Sequence, residues 1–249
     1  MSFLNSVFPK LLYSAKENGN TIEVFDSGNE LIFKFNGITY SKINKKAVFT
    51  HQYWDYFLPA AFAFEKPRVL LIGLGGGTVV YQLYKLFGKD VKIDVAEISA
   101  KMKEVFEKFV PEKVEASVFV GEGSEYVKHK KSTYDVILLD AYVNDKIPDQ
   151  FLSYDFVNST YAALSINGLF LTNFAMTFMG ALAYEQYVSM LKTRFEVYRI
   201  SAAITEGNVI ILASKSIPKE ELIAKIRAKM PKTSDTLPLL ANYEKMKKQ

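Results

Sequence analysis

Acidic side chains and a glycine-rich turn follow successive apolar strands of this chain, each at the point where a strand ends. In chain order the strand ends carry Gly73, Glu97, Glu122, Asp140 and Asn173. Because the carboxyl ends of parallel strands meet at one edge of a sheet, we expect these groups to share a rim. Carboxylates at such a rim can accept hydrogen bonds from hydroxyls and amines, or take a proton from a nucleophile.

The glycine-rich turn is the first of these features. The apolar run Val69–Ile72 is typical of a strand buried on both faces, and four glycines follow within five residues. A helix is predicted directly afterwards, so its free N–H groups would point at a ligand. The pattern predicts a nucleotide-type cofactor site, although the dinucleotide motif would require glycine where Thr78 stands. The glycines assigned to cofactor binding are Gly73, Gly75, Gly76 and Gly77 of this turn, together with Gly123 further along the chain.

Two glutamates extend the predicted cofactor site. Glu97 lies about 20 residues beyond the glycines, where an acid can hold two ribose hydroxyls. It could instead be an acid at the N-terminus of the following helix, where the positive end of the helix dipole stabilises it. Glu122 stands between Gly121 and Gly123, where it could accept a hydrogen bond from an adenine amine or remain a solvated turn residue. Together these residues favour an adenosine-type ligand.

Asp140 is the candidate catalytic residue. It follows five largely apolar residues, so it is expected at the mouth of a buried strand, where a carboxylate can hold or deprotonate a nucleophile. The alternative is a cap on the loop that follows. That loop begins after Tyr142, carries Asp145 and has the length of an active-site lid.

The elements that would position these residues alternate regularly from residue 68 onward. We predict strands at 69–73, 91–98, 117–121, 134–140, 169–174, 196–202 and 208–214, with helices between them, in a Rossmann-like, doubly wound α/β sheet. The last two strands are predicted to form an antiparallel hairpin. Residues 1–50 read as a small antiparallel β subdomain, 51–215 as the Rossmann-like domain, and 216–249 as a helix with a basic, frayed tail.

Several local features are also predicted. Ser99 is expected to cap the helix 99–109, and Asn167-Gly168 to end a helix near 153–164. Tyr53–Phe64 reads as an aromatic-rich helix with a kink or break at Pro59, and another helix is expected at 180–194.

Composition restricts the possible functions. Zero cysteines exclude disulfides and thiolate chemistry, and two histidines make a metal centre or a Ser-His-Asp triad unexpected. The net charge of +4 comes from residues 215–249, which carry an excess of +5, so nucleic-acid binding is not expected. With no long apolar run, we expect a cytoplasmic protein with no membrane contact.

The stretch from about 21 to 214 resembles the polyamine aminopropyltransferases (the spermidine synthase family), within their spermidine synthase-like branch. The resemblance rests on Val69–Thr78, Val95-Ala-Glu-Ile, Val120-Gly-Glu-Gly and the segment from Tyr134 to Pro148. It implies a class I S-adenosylmethionine-dependent transferase fold and decarboxylated S-adenosylmethionine as the donor. It further implies a small amine acceptor of the polyamine class, no metal, and a homodimer or homotetramer.

The resemblance also implies roles for individual residues. Glu97 would hold the ribose, Glu122 would contact the adenine, and Asp140 would be the general base for the attacking amine. Substrate-binding roles would fall to His51, Tyr142 and Asp145. On this alignment Gly76 stands where the family usually has an aspartate, Tyr40 where it has a glutamine, and Lys45-Lys46 where it has an Asp-Glu pair.

These departures affect positions expected to bind the amine acceptor more than positions expected to bind the donor. Other functions therefore stay open. One alternative is a methyltransferase that uses ordinary S-adenosylmethionine, since the fold and the cofactor rim would be shared. Another is a non-catalytic relative with a degenerate site. An NAD-dependent enzyme is a further alternative.

Overall fold

The computed structural model describes residues 9–201 and 207–249. Its N-terminal part is a four-stranded antiparallel sheet in the order β1-β2-β3-β4, made of β1 Lys10–Glu17, β2 Asn20–Asp26, β3 Glu30–Phe35 and β4 Ile38–Asn44. The last three strands were predicted, since the sequence has β-type runs at Thr21–Phe25, Glu30–Phe35 and Ile38–Ile43. At the Asn36-Gly37 turn both residues have positive φ, 50° and 80°, as the hairpin signal requires.

β1 was not predicted. It is the edge strand of this sheet, most of its side chains are exposed or half-buried, and its pairing with β2 slips between Leu11 and Tyr13. An edge strand with little burial has no clear alternation of polar and apolar residues. The turn that follows it, Asn18-Gly19, again has two positive φ angles, 50° and 81°.

The second sheet has eight strands in the order β12-β10-β11-β9-β8-β5-β6-β7. Five of them, β5 to β9, run parallel, whereas β11 pairs antiparallel with β9 and with β10. The predicted mixed α/β fold is therefore confirmed. Its strands are β5 Arg68–Ile72, β6 Lys92–Glu97, β7 Ala116–Val120, β8 Tyr134–Leu139, β9 Leu164–Ala175, β10 Glu196–Ser201, β11 Asn208–Ser214 and β12 Lys247–Lys248.

Helices cover both faces of this sheet. Successive β5 residues alternate between two cores, Val69 and Leu71 on one face and Leu70 and Ile72 on the other. The helices are α1 Leu58–Ala61, α2 Thr78–Phe87, α3 Ala100–Phe109, α4 Gly123–Lys128, α5 Tyr154–Ala163, α6 Met176–Lys192, α7 Lys219–Lys229 and α8 Thr236–Glu244. None of the helices in the described ranges is long and apolar enough to cross a membrane.

The strand order places the predicted rim at the centre of the sheet. The chain passes outward from β5 through β6 to β7, then returns to β8 on the other side of β5. The carboxyl ends of β5 and β8 therefore flank the point where the strand order reverses, which is where ligands bind in open α/β sheets.

Helix ends follow the sequence signals in part. The Ser99 side chain accepts a hydrogen bond from Met102 N at 2.9 Å, which confirms the predicted cap of α3. The predicted cap at Asn167-Gly168 is wrong, because both residues lie inside β9. There the pairing with β8 jumps from Tyr134–Leu164 to Val136–Leu169, so the extra residues bulge from the strand.

The aromatic segment after β4 is not one kinked helix. Tyr53–Phe57 forms a 3₁₀ helix, and the short α1 follows it. Pro59 lies in the first turn of α1, where a missing N–H breaks no helical hydrogen bond, so the chain breaks just before Pro59, between Phe57 and Leu58, and does not kink at it. The helix predicted at 180–194 begins earlier, at Met176, and is interrupted at Gly180, where φ is 80°.

The C-terminal region is more ordered than predicted. Beyond α7 the chain forms α8, and β12 then pairs with β10 at the edge of the sheet. Tyr243 of α8 is fully buried, and its hydroxyl donates to the carbonyl of Tyr56 at 2.7 Å. The tail is therefore packed on the aromatic segment.

β10 and β11 are antiparallel as predicted, while Glu206 of their predicted connection lies outside the described residues.

Asp55 holds the aromatic segment in place. Its side chain is 2% exposed and accepts hydrogen bonds from Thr50 N at 2.9 Å, His51 N at 2.7 Å and Gln82 Nε2 at 2.5 Å. We expect Asp55→Ala to lower the free energy of unfolding by about 3 kcal/mol, because it leaves buried donors unpaired. Urea denaturation measures this change, with the exposed Asp149→Ala as control. A loss in Asp55→Ala no larger than in the control would contradict this role.

Candidate functional site

A cavity of about 440 Å³ lies beyond the carboxyl ends of the central strands. Its floor is formed by the ends of β5, β6, β8 and β9. Its roof is formed by the N-terminal sheet, through Tyr40 of β4 and the turn that carries Glu17 and Asn18. The predicted residues that line it are Gly73, Gly75, Glu97, Glu122, Gly123, Asp140, Tyr142 and Asp145.

Gly73 allows two strand ends to meet. Its φ is +92°, and an added Cβ would lie 2.5 Å from the carbonyl oxygen of Asp140. The N–H of Asp140 in turn donates to the carbonyl of Ile72 at 2.9 Å. Glycine is therefore required where the turn after β5 touches the end of β8. This contact places Asp140 beside the glycine turn.

Gly76 and Gly77 face away from the cavity and are not among its lining residues in the described part of the chain. A Cβ on Gly76 would enter the ring of Phe33, a buried residue of β3, and one on Gly77 would enter the ring of Phe106. The missing side chain at Gly76 thus lets the N-terminal sheet pack on the glycine turn. An aspartate at position 76 would press its side chain against Phe33.

Thr78 makes a second contact with that sheet. Its side chain is buried, donates to the carbonyl of Lys42 at 2.8 Å and also pairs with the Ser41 hydroxyl. The first turn of α2 is therefore covered by β4. In dinucleotide-binding folds this helix end receives a pyrophosphate, so the covered helix end does not support that ligand.

Glu97 is buried at the end of β6, with 7% of its surface exposed. One oxygen accepts from the N–H of Leu74 at 2.7 Å, and the other accepts from the N–H of Ser99 at 2.9 Å. Burial raises the pKa of this carboxyl, although the backbone donors oppose the rise. The carboxylate thus fixes the glycine turn and the start of α3, and its remaining lone pairs can accept hydroxyl donors in the cavity.

Glu122 connects the cavity with the loop after β8. It caps α4 by accepting from Ser124 N at 3.2 Å, and its other oxygen accepts from Gln150 Nε2 at 3.0 Å. Gln150 lies at the far end of the loop that begins after Tyr142, and it also lines the cavity. The loop is therefore fastened at one side of the cavity by this pair.

Asp140 is the centre of a polar cluster. Asn173 Nδ2 donates to its Oδ1 at 3.0 Å, and the Tyr53 hydroxyl donates to its Oδ2 at 3.4 Å. Burial raises the pKa of Asp140 to about 6, against the effect of these two donors. A carboxylate with a raised pKa is a better proton acceptor than an ordinary one. The arrangement suits proton transfer to Asp140.

Three tyrosines surround this carboxylate. Desolvation, with the negative charge of Asp140, raises the pKa of Tyr53, Tyr142 and Tyr40. They remain neutral hydroxyls at neutral pH. Tyr142 also donates to the carbonyl of Asn173 at 2.6 Å, which ties the loop to β9.

Asp145 is presented to the cavity by a tight turn. Asn144 and Asp145 have φ of 50° and 61°, and Val143 and Lys146 exchange two backbone hydrogen bonds of 2.9 and 3.1 Å. Two successive positive φ angles are typical of a type I′ turn. The tip of the loop is therefore a defined hairpin rather than an extended segment.

His51 does not line the cavity in the described structure. Its imidazole lies 3.5 Å from a carboxylate oxygen of Asp235, near the start of α8, and is largely exposed. Conversely, Tyr53 and Asn173 contact Asp140 but were given no role from the sequence. Asn173 was expected at the shared rim as the polar end of the fifth strand, whereas nothing in the aromatic run singled out Tyr53.

Comparison with known proteins identifies the group to which these features belong. The family model described as the spermine/spermidine synthase domain matches residues 56–206. Polyamine aminopropyltransferase of Neisseria meningitidis serogroup A is 31% identical over 174 residues, which cover 68% of this chain and 64% of that protein. The Vibrio vulnificus protein of the same name is 30% identical over 164 residues, 63% of this chain and 53% of the relative. The matched region thus spans less than two thirds of either relative.

Solved structures agree with this relationship at the level of the fold. Spermidine synthase from Thermotoga maritima aligns with a TM-score of 0.72 at 20% identity, covering 94% of this chain and 84% of that one. Human methyltransferase-like protein 13, solved with S-adenosylhomocysteine, aligns with a TM-score of 0.56 at 21% identity, covering 76% of this chain and 95% of that one. By the family model and its curated relatives, the chain belongs to the spermine/spermidine synthase family.

Proposed function

We propose that this protein transfers an aminopropyl group from decarboxylated S-adenosylmethionine to a small amine acceptor of the polyamine class. The observation that carries the proposal is the charge of the cavity. Among the described residues, those that line the cavity include five carboxylates but no lysine or arginine. The acids are Glu17, Glu97, Glu122, Asp140 and Asp145. An anionic cavity favours a donor with a sulfonium and an ammonium group, and an acceptor that arrives as an ammonium ion.

The donor would lie along the ends of β5, β6 and β7. Glu97 would accept the ribose hydroxyls with the lone pairs that Leu74 and Ser99 leave free, and Glu122 would accept the exocyclic amine of adenine. Gly73 and Gly75 present only backbone to this part of the cavity, so the chain that carries the sulfonium could approach them closely. The sulfonium carbon would then face Asp140.

Asp140 would act as the general base. The acceptor ammonium gives one proton to the carboxylate, and the freed nitrogen lone pair attacks the carbon next to sulfur. The C–S bond breaks, and its electrons neutralise the sulfonium to a thioether, methylthioadenosine. The raised pKa of Asp140, about 6, lowers the cost of taking that proton. Asp145 on the hairpin tip would hold the distal ammonium of a diamine.

A methyltransferase that uses ordinary S-adenosylmethionine is the second candidate, because a fold neighbour was solved with S-adenosylhomocysteine. That donor adds a carboxylate to the cavity. With no cationic side chain among the described lining residues, the added negative charge would face Asp140 and Asp145. Like charges brought together cost several kcal/mol, which disfavours this donor.

Isothermal titration calorimetry with both donors and methylthioadenosine tests the proposal. We expect decarboxylated S-adenosylmethionine to bind at least about tenfold more tightly than S-adenosylmethionine, because only the latter carries the carboxylate. Tighter binding of S-adenosylmethionine would favour the methyltransferase. If none of the three compounds binds at millimolar concentration, the enzymatic proposal is wrong and a non-catalytic relative remains.

We further propose a cytoplasmic homodimer or homotetramer. Exposed apolar side chains on the edge strands of the two sheets support association, among them Leu11 on β1 and Phe119 on β7. Size-exclusion chromatography with light scattering measures the mass. A monomer at micromolar concentration would contradict the proposal.

A further inference from the structure

Asn173 is a buried amide in contact with Asp140. It lies near the end of β9, is 2% exposed, and donates through Nδ2 to Asp140 Oδ1 at 3.0 Å. Its backbone carbonyl is held by the Tyr142 hydroxyl at 2.6 Å. Its position beside Asp140 is therefore fixed from two sides.

The other half of this amide has no partner. Within the described residues, the buried Asn173 Oδ1 accepts no hydrogen bond. Buried polar atoms are nearly always paired, so an unpaired acceptor beside a candidate catalytic acid calls for an explanation. Leu171, two residues earlier on the same face of β9, and Ile210, the partner of Asn173 on β11, are fully buried and apolar, so an apolar residue would suit these neighbours. A polar function of the amide therefore explains an asparagine at position 173 better than packing does.

The chemistry of the pair supplies that function. An ionised carboxylate can only accept, so the amide must turn Nδ2 toward it. A protonated carboxyl can donate, and the amide then offers Oδ1 after a half-turn about χ2, which exchanges two groups of the same shape. We propose that Asn173 is a positioning residue that pairs with both protonation states of Asp140, so that the base stays in place while it takes the proton.

This inference rests on the proposed function, since the proton comes from the acceptor ammonium ion. The N–H bond of the acceptor breaks, an O–H bond forms on Asp140, and the nitrogen keeps the electron pair used to attack carbon. If the proton is taken up on Oδ1, a fixed amide would oppose the new O–H with the N–H donor of Nδ2. With a turned amide, it donates to Asn173 Oδ1, which gains the partner it lacks.

Three tyrosines among the described residues face Asp140, and they do not change charge with it. They are Tyr53 of the 3₁₀ segment, Tyr40 of β4 and Tyr142 of the loop after β8. The pKa of each is raised by burial and by the Asp140 charge, so all three remain neutral where Asp140 titrates, at about 6. A titration near that pH can therefore be assigned to Asp140 within this cluster.

Asn173→Leu tests the proposal, because leucine keeps the branching of asparagine and can neither donate nor accept. The pKa of Asp140 is read from the infrared band of its protonated carboxyl, which Asp140→Asn removes. If Asn173 forms a hydrogen bond with both the ionised and the protonated form of Asp140, its removal destabilises both forms. We therefore expect the pKa of Asp140 to change by less than about half a pH unit. We also expect kcat to fall at least about tenfold with donor affinity unchanged, because the base is no longer held.

Two outcomes would overturn the proposal. A rise in the pKa of Asp140 by about one pH unit or more would mean that Asn173 serves only the ionised form, since a charge-assisted hydrogen bond has that strength. An unchanged kcat would mean that the amide is only structural. The infrared titration needs no turnover, so it still tests the role of Asn173 if the protein does not have the proposed activity.

A measurement on the unmodified residue covers the case that Asn173→Leu does not fold. In protein labelled with ¹⁵N-asparagine, the Asn173 side-chain signal is the one missing from Asn173→Asp. We expect its hydrogen-bonded amide proton to lose its low-field shift as the pH falls through the titration of Asp140. In Asp140→Asn the signal should not follow pH. A low-field shift that persists below pH 5 would contradict the half-turn of the amide.

Discussion

Asp140→Asn is expected to abolish product formation and at the same time to stabilise the folded protein at neutral pH. The loss of turnover follows because an amide cannot take a proton from the acceptor. Proton transfer by a positioned group contributes about 100- to 10,000-fold to a rate, so we expect kcat to fall by at least about 100-fold. Donor binding should be retained, since Glu97 and Glu122 carry it. Steady-state kinetics and calorimetry separate the two effects.

The gain in stability has a defined pH range. The pKa of Asp140 is about 6 in the folded protein and near its ordinary value of 3.8 in the unfolded chain. Ionisation therefore costs more in the folded state, and wild-type stability falls as the pH rises from 3.8 to about 6. Asp140→Asn avoids this cost. Because Asp140 is partly exposed to the cavity, we expect the variant to gain on the order of 2 kcal/mol above pH 6 and nothing below about pH 4.

Urea denaturation at pH 4 and pH 7.5 measures this difference. Asp149→Asn is the control, since Asp149 is an exposed carboxylate of the neighbouring loop. An Asp140→Asn variant that is less stable than wild type at pH 7.5 would contradict the buried-charge account.

Glu97→Gln is expected to weaken donor binding about 100-fold, which corresponds to about 2.7 kcal/mol. The two carboxylate oxygens accept from Leu74 N and Ser99 N, at 2.7 and 2.9 Å. Glutamine has one carbonyl oxygen, so its NH₂ group would oppose one of these donors, and a ribose hydroxyl would lose a charged acceptor. A hydrogen bond to a charged group is worth about 1.5–3 kcal/mol, so this change alone accounts for the effect.

Calorimetry with methylthioadenosine measures this loss without the charge of the sulfonium. Glu122→Gln is the matched control, a carboxylate at the next strand end. Its expected loss is about tenfold, because it holds one adenine amine and keeps its contact with Gln150 through the remaining oxygen. Equal affinity of wild type and Glu97→Gln would contradict the assignment of the ribose to Glu97.

The parallel part of the fold could be predicted because its burial is continuous. β5 and β8 are apolar runs that end in a glycine turn and in Asp140, and β6 ends in Glu97. Such strands are identified by composition alone. β1 was missed because an exposed edge strand has no such run. α8 was missed because its order comes from contact with Tyr56, 187 residues away in sequence from Tyr243.

The site could be predicted where one strand supplies one functional group, as with Glu97, Glu122 and Asp140. Contacts between elements could not be predicted. Gly76 was assigned to the cofactor, but its missing side chain makes room for Phe33 of the other sheet. Tyr53 reaches Asp140 from a segment 87 residues away, and no local pattern encodes that contact. Asn173 was expected at the same rim as Asp140, but its hydrogen bond to this carboxylate was not predicted.

Product formation tests the central claim most directly. The purified protein is incubated with a diamine and either decarboxylated S-adenosylmethionine or S-adenosylmethionine, and the products are identified by mass spectrometry. We predict an amine extended by one aminopropyl group, with one methylthioadenosine per transfer, from the decarboxylated donor only, and neither product with Asp140→Asn. A methylated amine and S-adenosylhomocysteine from the ordinary donor would contradict the account.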